Sequence, residues 1–145
     1  MIVNFYDEVE DSLLRFAVIA AYYQGAWVFV RHKERTTYEL PGGHREEGES
    51  IRCSAQRELY EETGIQEAIL HPVCVYSVIG KNRVNESGEE SYGMLYYAQV
   101  SAIGKQPESE IGEVLLLDKD PEAWTYPDIQ PLLLAKVKEW VRKEL

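Results

Sequence analysis

The sequence predicts an α+β or α/β sandwich, because helical patterns are interspersed among several β-rich runs and the chain ends in an amphipathic helix. Hydrophobic residues make up 45% and charged residues 28% of the 145 residues, a globular composition rather than a disordered or fibrous one. This length suits one domain, so we expect a single domain over residues 1–145.

The first third of the chain predicts a hairpin and a glycine-rich loop. Residues 14–22 and 26–30 are apolar and β-branched, and Gln24-Gly25 separates them, which predicts a β-hairpin. A short strand is expected at residues 38–40, where the chain runs into the sequence Pro-Gly-Gly. Glycine permits backbone angles and close approaches that a Cβ atom forbids, so we expect a functional loop to begin at residue 41.

The middle of the chain predicts one helix followed by two strands. Residues 50–63 contain good helix formers without Gly or Pro, and Gly64 follows as a stop signal. Residues 68–79 and 92–101 are β-rich, and the polar stretch between them, residues 80–91, is long for a hairpin turn. We therefore expect a mobile surface loop between these two strands.

The last part of the chain predicts a strand at residues 114–117 and a closing helix at residues 130–145. The helix is amphipathic, because four apolar residues recur at i, i+4, i+7 and i+8: Leu133, Val137, Trp140 and Val141.

The charge balance and the cysteine count limit the partners. Lys and Arg total 15 against 25 Asp and Glu, and the net charge of −10 argues against binding a nucleic acid polymer. No apolar run approaches the roughly 18 residues of a membrane span, and the first eleven residues are acidic, so we expect a cytoplasmic protein without membrane contact. Cys53 and Cys74 lack disulfide or zinc-site spacing and predict buried free thiols.

Three carboxylates share one face of the predicted internal helix. Glu58, Glu61 and Glu62 lie at i, i+3 and i+4, beside an apolar stripe that includes Leu59. A partly buried cluster of negative charge is costly unless a positive group neutralises it, and carboxylate oxygens suit Mg²⁺ or Mn²⁺. The helix therefore predicts a metal platform, and the alternative interpretation is a solvated surface charge run.

The segment that contains this helix follows the pattern G-x5-E-x7-R-E-U-x-E-E-x-G-U, where U is aliphatic. Every fixed position is filled, by Gly43, Glu49, Arg57, Glu58, Leu59, Glu61, Glu62, Gly64 and Ile65. The motif covers residues 43–65 and strongly resembles that of the Nudix hydrolase family, whose members cleave nucleoside diphosphates linked to another moiety. The resemblance implies an α/β/α sandwich with a mixed central sheet and a pyrophosphohydrolase.

The resemblance also implies roles for the motif residues. Glu58, Glu61 and Glu62 resemble the set that holds Mg²⁺ or Mn²⁺, and the backbone carbonyl of Gly42 resembles a further ligand. Glu58 also resembles the residue that orients or deprotonates water. Arg57 is close enough on the helix to orient a carboxylate.

Two further acidic positions follow from the same resemblance. Glu49 resembles a charge partner of Arg57, and the alternative is a contact with the helix N-terminus. Family members often place one more acidic ligand on a loop after the motif, and we expect Glu108 in preference to Glu110. Glu89 and Glu90 are weaker candidates, and solvated loop carboxylates describe them better.

The substrate follows less directly from the motif. The proline typical of ADP-ribose hydrolases and the tyrosine typical of dinucleoside polyphosphate hydrolases are both missing beyond the motif, where Lys81 and Arg83 could contact a triphosphate. We therefore expect a nucleoside triphosphate pyrophosphohydrolase, similar to family members that remove oxidised purine nucleotides such as 8-oxo-dGTP. The alternatives are an ADP-ribose or dinucleoside polyphosphate hydrolase and a non-catalytic nucleotide sensor of the same fold. The sequence leaves open a monomer or a homodimer.

A last cluster bears on the choice of base. Trp124, Tyr126 and Asp128 precede the final helix, where related hydrolases often line the base pocket. Aromatic rings can stack on a base, and the carboxylate of Asp128 could accept hydrogen bonds from the Watson–Crick edge of guanine or 8-oxoguanine. The alternative is that Asp128 caps the final helix ahead of Pro131.

Overall fold

A computed structural model describes residues 1–81 and 86–145. Within these ranges the chain forms seven strands and two α-helices. In chain order they are β1 (Ile2–Tyr6), β2 (Leu14–Tyr23), β3 (Ala26–His32), β4 (Gly42–His44), α1 (Ile51–Thr63), β5 (Glu67–Ile79), β6 (Ser91–Ala102), β7 (Ile111–Leu117) and α2 (Gln130–Glu144).

The strands form one mixed sheet in the order β1-β5-β6-β2-β3-β7, and β4 pairs with β2 outside this path. The β2–β6 pair is parallel, and the other named pairs are antiparallel. The long β5–β6 pair runs from Glu67–Ala102 to Val78–Ser91. The middle of the mobile loop expected between these two strands, residues 82–85, lies outside the described residues.

The two helices cover opposite faces of the sheet. Because successive strand residues point to opposite faces, Ala17 and Ile19 of β2 pack in the cluster that contains Leu59 of α1. Val18 and Ala20 pack instead in the cluster that contains Leu133 of α2. The predicted sandwich with a mixed central sheet is therefore confirmed.

The predicted local elements agree with the structure. Residues 14–23 and 26–32 form the hairpin, and α1 begins after Ser50, whose side chain accepts a hydrogen bond from Cys53 N. Gly64 ends α1 in the left-handed conformation, with φ of 82°, which a side chain would strain. The later strands and α2 also lie where the sequence places them.

Three expectations were wrong. Residues 38–40 do not form a strand: Glu39 makes an isolated bridge with Val30 and Tyr38 one with Trp124. The reason is that the backbone hydrogen bonds of Glu39 go to β3 and those of Tyr38 go to residues 123 and 125, so no ladder of successive pairs forms. The loop expected from residue 41 begins with the short strand β4, because the small glycines pair closely with β2. The cysteines divide: Cys74 is buried, whereas Cys53 is exposed on the solvent side of α1.

The sequence did not predict β1, and it suggested the wrong cap for α2. β1 is a short edge strand with exposed and half-buried residues, and its partner β5 is some 70 residues away, so its sequence carried little signal. The final helix has Ile129 at its N-cap and no side-chain cap, so the interpretation of Asp128 as its cap is wrong. No helix in residues 1–81 or 86–145 is long and apolar enough to cross a membrane.

Candidate active site

The sheet separates between β2 and β3, and a cavity of about 390 Å³ opens at this separation. β2 pairs with β3 only at Tyr22–Trp27 and Tyr23–Ala26, while its first half pairs with β4 at residues 16–18. The lining combines two kinds of residue. Its polar members include His32, Arg35, Glu39, Glu58, Glu62 and Glu110. Its apolar members include six that belong to the core cluster around α2: Val18, Leu40, Tyr76, Val78, Ile129 and Leu133.

Glu62 joins α1 to the glycine strand β4. Its Oε1 accepts a hydrogen bond from the backbone N–H of Gly42 at 2.9 Å. Burial raises the pKa of Glu62 well above its ordinary value, and repulsion from Glu58 and Glu39 raises it further, although the Gly42 bond opposes the shift. In a regular strand the N–H and C=O of one residue point to the same side. The Gly42 carbonyl therefore faces the same edge as Glu62, away from β2.

Glu58 lies against the backbone of β4. Its side chain is only 16% exposed, and burial raises its pKa although Arg57 lowers it. A Cβ atom at Gly43 would overlap the Glu58 carboxylate, so only glycine allows this approach. This contact explains why the motif begins with glycine.

Arg57 and Glu49 form a bidentate ion pair. The distances are 2.7 Å from Arg57 Nε to Glu49 Oε2 and 3.0 Å from Nη2 to Oε1. Glu49 Oε1 also accepts from Ser54 Oγ at 2.8 Å and from Glu46 N at 2.9 Å. These bonds, chiefly that with Arg57, lower the pKa of Glu49 to about 2. Arg57 Nη2 also donates to His44 O at 2.9 Å, which fixes β4 to α1.

The third motif carboxylate faces Arg57 and not the cavity. Arg57 Nη1 contacts Glu61 Oε1 at 2.8 Å and Glu58 Oε1 at 2.5 Å, and the Glu61 side chain is half exposed. In this conformation no three His, Cys, Asp or Glu side chains of the described residues converge on one metal position. The donor set nevertheless suits a hard cation, because Glu58, Glu62 and the Gly42 carbonyl offer oxygen ligands and burial disfavours the charged form of both carboxylates in the absence of a cation.

The later acidic candidates differ in their distance from the cavity and not in their exposure. Glu110 is among the residues that line the cavity, with Oε2 3.8 Å from His32 Nδ1, although its side chain is 89% exposed. Glu108 is also exposed and is not among the described lining residues. The role of Glu108 as a ligand stays a prediction. Glu89 is exposed. Glu90 is not a solvated loop carboxylate, because it accepts hydrogen bonds at 2.7 Å from both Tyr6 and Ser77, which lower its pKa and tie the loop to β1 and β5.

The predicted substrate-binding residues are only partly brought together. Tyr126 lines the cavity. Trp124 packs edge-on against Phe29, with 5.6 Å between the ring centroids. Asp128 is exposed, and neither Trp124 nor Asp128 is among the described residues that line the cavity. Lys81 is exposed and also lies outside that lining, and Arg83 lies outside the described residues.

Sequence reasoning missed a charged cluster at the end of β3. Arg35 Nη1 lies 3.1 Å from Glu39 Oε1, and His32 Nε2 lies 3.5 Å from the same oxygen. Burial raises the pKa of Glu39, although His32 and Arg35 oppose the shift. Arg35 is the one permanently charged cation among the described residues that line the cavity. One signal in the sequence could have indicated this cluster: two basic residues, His32 and Arg35, stand shortly before the Pro-Gly-Gly sequence in an otherwise acidic chain.

Comparison with known proteins identifies the family. The NUDIX domain profile matches residues 13–137, which is most of the chain. The chain belongs to the Nudix family. It is 26% identical over 151 residues to the "Putative 8-oxo-dGTP diphosphatase YtkD" of Bacillus subtilis (strain 168), over 96% of this chain and 91% of that protein.

Solved structures agree with this assignment. The crystal structure of the Bacillus subtilis pyrophosphohydrolase BsRppH (E68A mutant) matches with a TM-score of 0.76 and 25% identity, over 94% of this chain and 90% of that one. A UDP-X diphosphatase matches with a TM-score of 0.71 and 18% identity, over 95% and 67%, which shows the shared fold. This Nudix protein is a pyrophosphohydrolase, a hydrolase that acts on acid anhydrides, and its family generally uses divalent metals.

Proposed function

We propose that this Nudix hydrolase converts nucleoside triphosphates, including oxidised purine nucleotides, to nucleoside monophosphates and pyrophosphate. The observation that carries the proposal is one cavity of about 390 Å³ that is lined both by carboxylates and by apolar side chains. This volume lies near the lower end of ligand-site volumes and suits one nucleotide better than two linked ones. The similarity to a protein named as an 8-oxo-dGTP diphosphatase supports the same substrate class.

We infer that Glu58, Glu62, the Gly42 carbonyl and Glu110 would hold Mg²⁺ or Mn²⁺, with Glu61 and Glu108 as further candidates. The metal would neutralise phosphate oxygens that otherwise repel the attacking water and the carboxylates around it. The supporting observation is that burial raises the pKa of Glu58 and Glu62, and that repulsion from neighbouring carboxylates adds to the shift in both.

Glu58 is suited to accept a proton from the attacking water. Its raised pKa makes it a stronger base than an exposed glutamate, and Arg57 fixes its orientation. The water oxygen forms a bond to one phosphorus of the α–β anhydride, and the bond from that phosphorus to the bridging oxygen breaks. The bridging oxygen leaves with the other phosphate group.

Arg35 is suited to bind phosphate oxygens that do not react. Arg35 lines the same cavity as the motif carboxylates, and Glu39 holds its guanidinium through one nitrogen, which leaves further N–H groups for a ligand. The position of Arg35 supports a substrate with several phosphate groups, part of whose negative charge the metal would leave unneutralised. The proposal gives Arg35 the phosphate contact that the sequence suggested for Lys81 and Arg83.

A substrate panel with product identification tests the proposal. The panel holds common and oxidised purine triphosphates, ADP-ribose, diadenosine tetraphosphate and a short RNA with a 5′-triphosphate, each with Mg²⁺. We expect the highest kcat/KM for a nucleoside triphosphate, with pyrophosphate as product. A higher value for ADP-ribose, the dinucleotide or the RNA would contradict the proposal, and binding without turnover would indicate a sensor.

The setting of the enzyme is part of the proposal. We infer action on small nucleotides rather than nucleic acid polymers from the net charge of −10. The exposed free thiol of Cys53 fits the reducing cytoplasm.

A further inference from the structure

Gln130 is a buried amide side chain at the first residue of α2. It is 6% exposed, and its Oε1 accepts a hydrogen bond from the backbone N–H of Leu40 at 2.7 Å. Because only the oxygen of an amide can accept this bond, the partner fixes which end of the amide is oxygen and which is nitrogen.

The nitrogen of this amide faces the cavity. Nε2 makes no hydrogen bond to any other residue of the described ranges. No polar side-chain atom in these ranges is both sealed from solvent and unpaired, so Nε2 keeps accessible surface. Gln130 lines the cavity and is otherwise buried, so the two N–H groups open onto the cavity.

The surroundings of Gln130 suit a flat apolar group with one polar edge. Tyr76, Ile129 and Leu133 line the same cavity and belong to the buried core around α2. A buried donor in such surroundings binds only a ligand that offers an acceptor, because an unpaired polar group costs desolvation free energy on both sides.

We propose that Gln130 determines base specificity by donating a hydrogen bond to the C6 carbonyl of guanine, 8-oxoguanine or hypoxanthine. Adenine carries an amino group at that position, and two donors would face each other. This inference rests on the proposed function in that it takes a nucleotide as the substrate. It moves base recognition from Asp128, which is exposed outside the described lining, to the helix residue two positions later.

The substitution Gln130→Glu tests the inference. It keeps an oxygen for the Leu40 N–H and replaces the donor at the cavity by an acceptor. At alkaline pH, where the new carboxyl group is ionised, we expect the ratio of kcat/KM for GTP over ATP to fall at least about tenfold. A ratio cancels any general loss from the added negative charge. An unchanged ratio would overturn the inference.

Two control variants separate a role of Gln130 from a general effect of charge and from a role of Asp128. Gln66→Glu introduces the same charge at an exposed position outside the described lining, and Asp128→Asn alters the residue that the sequence favoured. We expect both to keep the wild-type ratio. A drop with Asp128→Asn that equals the drop with Gln130→Glu would contradict the assignment to Gln130.

Wild-type enzyme provides a test that needs no variant to fold. Inosine triphosphate keeps the C6 carbonyl of guanine and lacks its amino group at C2, whereas 2,6-diaminopurine triphosphate keeps that amino group and replaces the carbonyl. We expect the inosine compound to be hydrolysed much like GTP and the diaminopurine compound to resemble ATP. The reverse order would show that the C2 amino group is recognised, and the inference would fail.

The failure of the proposed function remains distinguishable. If wild-type enzyme hydrolyses no triphosphate but acts on nucleotide sugars or dinucleotides, the proposed substrate class is wrong. The same guanine-to-adenine ratio, measured within the class that is hydrolysed, then decides the role of Gln130.

Discussion

The backbone N–H of Gly42 donates to Glu62 Oε1 at 2.9 Å, and this bond joins the glycine strand to the acidic helix. It satisfies one carboxylate oxygen, yet burial and the neighbouring carboxylates still raise the pKa of Glu62. The metal-free fold therefore carries a carboxylate that is less stable as an anion than it is in the unfolded chain. A cation bound beside Glu62 would offset this cost to stability.

The substitution Glu62→Gln should stabilise the metal-free protein while it impairs catalysis. Gln keeps the oxygen that accepts from Gly42 and removes a charge that repels Glu58. We expect Tm in the presence of a chelator to rise by about 4 °C for each kcal/mol gained, as is usual for a domain of this length. The expected loss in kcat is at least roughly 10²-fold.

The pH dependence of this effect has a definite sign. A carboxylic acid whose folded pKa is raised favours the folded state below its unfolded pKa, and that stability is lost as pH rises toward the folded pKa. The difference in Tm between Glu62→Gln and wild type should thus grow as pH rises above 4.5, the ordinary value. A difference that shrinks over this range would contradict the burial argument.

Replacement of Glu58 by Gln should lower kcat by at least roughly 10²-fold with Mg²⁺ present, because the variant cannot accept the proton of water. Hydroxide compensates at high pH, so the rate of the variant should rise more steeply on the alkaline side than that of wild type. Chelation should abolish the activity of wild type. Glu47→Gln, an exposed glutamate of the same segment, is the control and should change neither profile. Parallel profiles would leave Glu58 a ligand or a structural residue.

Replacement of Glu49 by Gln should destabilise the protein near neutral pH. The bonds from Arg57 hold the pKa of Glu49 near 2, so its contribution is present above 4.5 and is lost as pH falls toward 2. Urea midpoints at several pH values measure this, and the difference from wild type should narrow in acid. A difference that stays constant with pH would show that the packing of the loop matters and the charge does not.

The sequence predicts features that depend on neighbouring residues. The position of α1 follows from its helix formers, from Ser50 and from Gly64, and all three act within one or two turns. The motif is equally local, because its carboxylates project from one helix that lies next to its own glycine strand. Both could be predicted for that reason.

Features that depend on distant pairing could not be predicted. The β3–β7 register places Glu113 opposite Arg31, and Lys33 N donates to Glu110 O at 2.8 Å, which brings Glu110 rather than Glu108 beside His32. Gln130 meets Leu40 across ninety positions of the chain. Helical periodicity alone cannot show that the first residue of a helix projects into a cavity formed by separated strands.

Replacement of Arg35 tests whether this residue of the cavity or Lys81, which the sequence suggested, binds the phosphate groups of the substrate. Arg35→Gln should raise KM for the best triphosphate at least about tenfold, the loss expected for a charge-assisted hydrogen bond, with a smaller change in kcat. Lys33→Gln and Lys81→Gln remove exposed charges outside the described lining of the cavity and should leave KM nearly unchanged.

Arg35→Lys should restore only part of the affinity, because a single ammonium cannot contact both Glu39 and a phosphate in the geometry of a planar guanidinium. Steady-state kinetics give KM and kcat for each variant. Inhibition by pyrophosphate, measured on the same variants, reports their affinity for phosphate groups. If Lys81→Gln raises KM as much as Arg35→Gln does, phosphate binding extends to the loop after β5, and Arg35 contributes only a general positive potential.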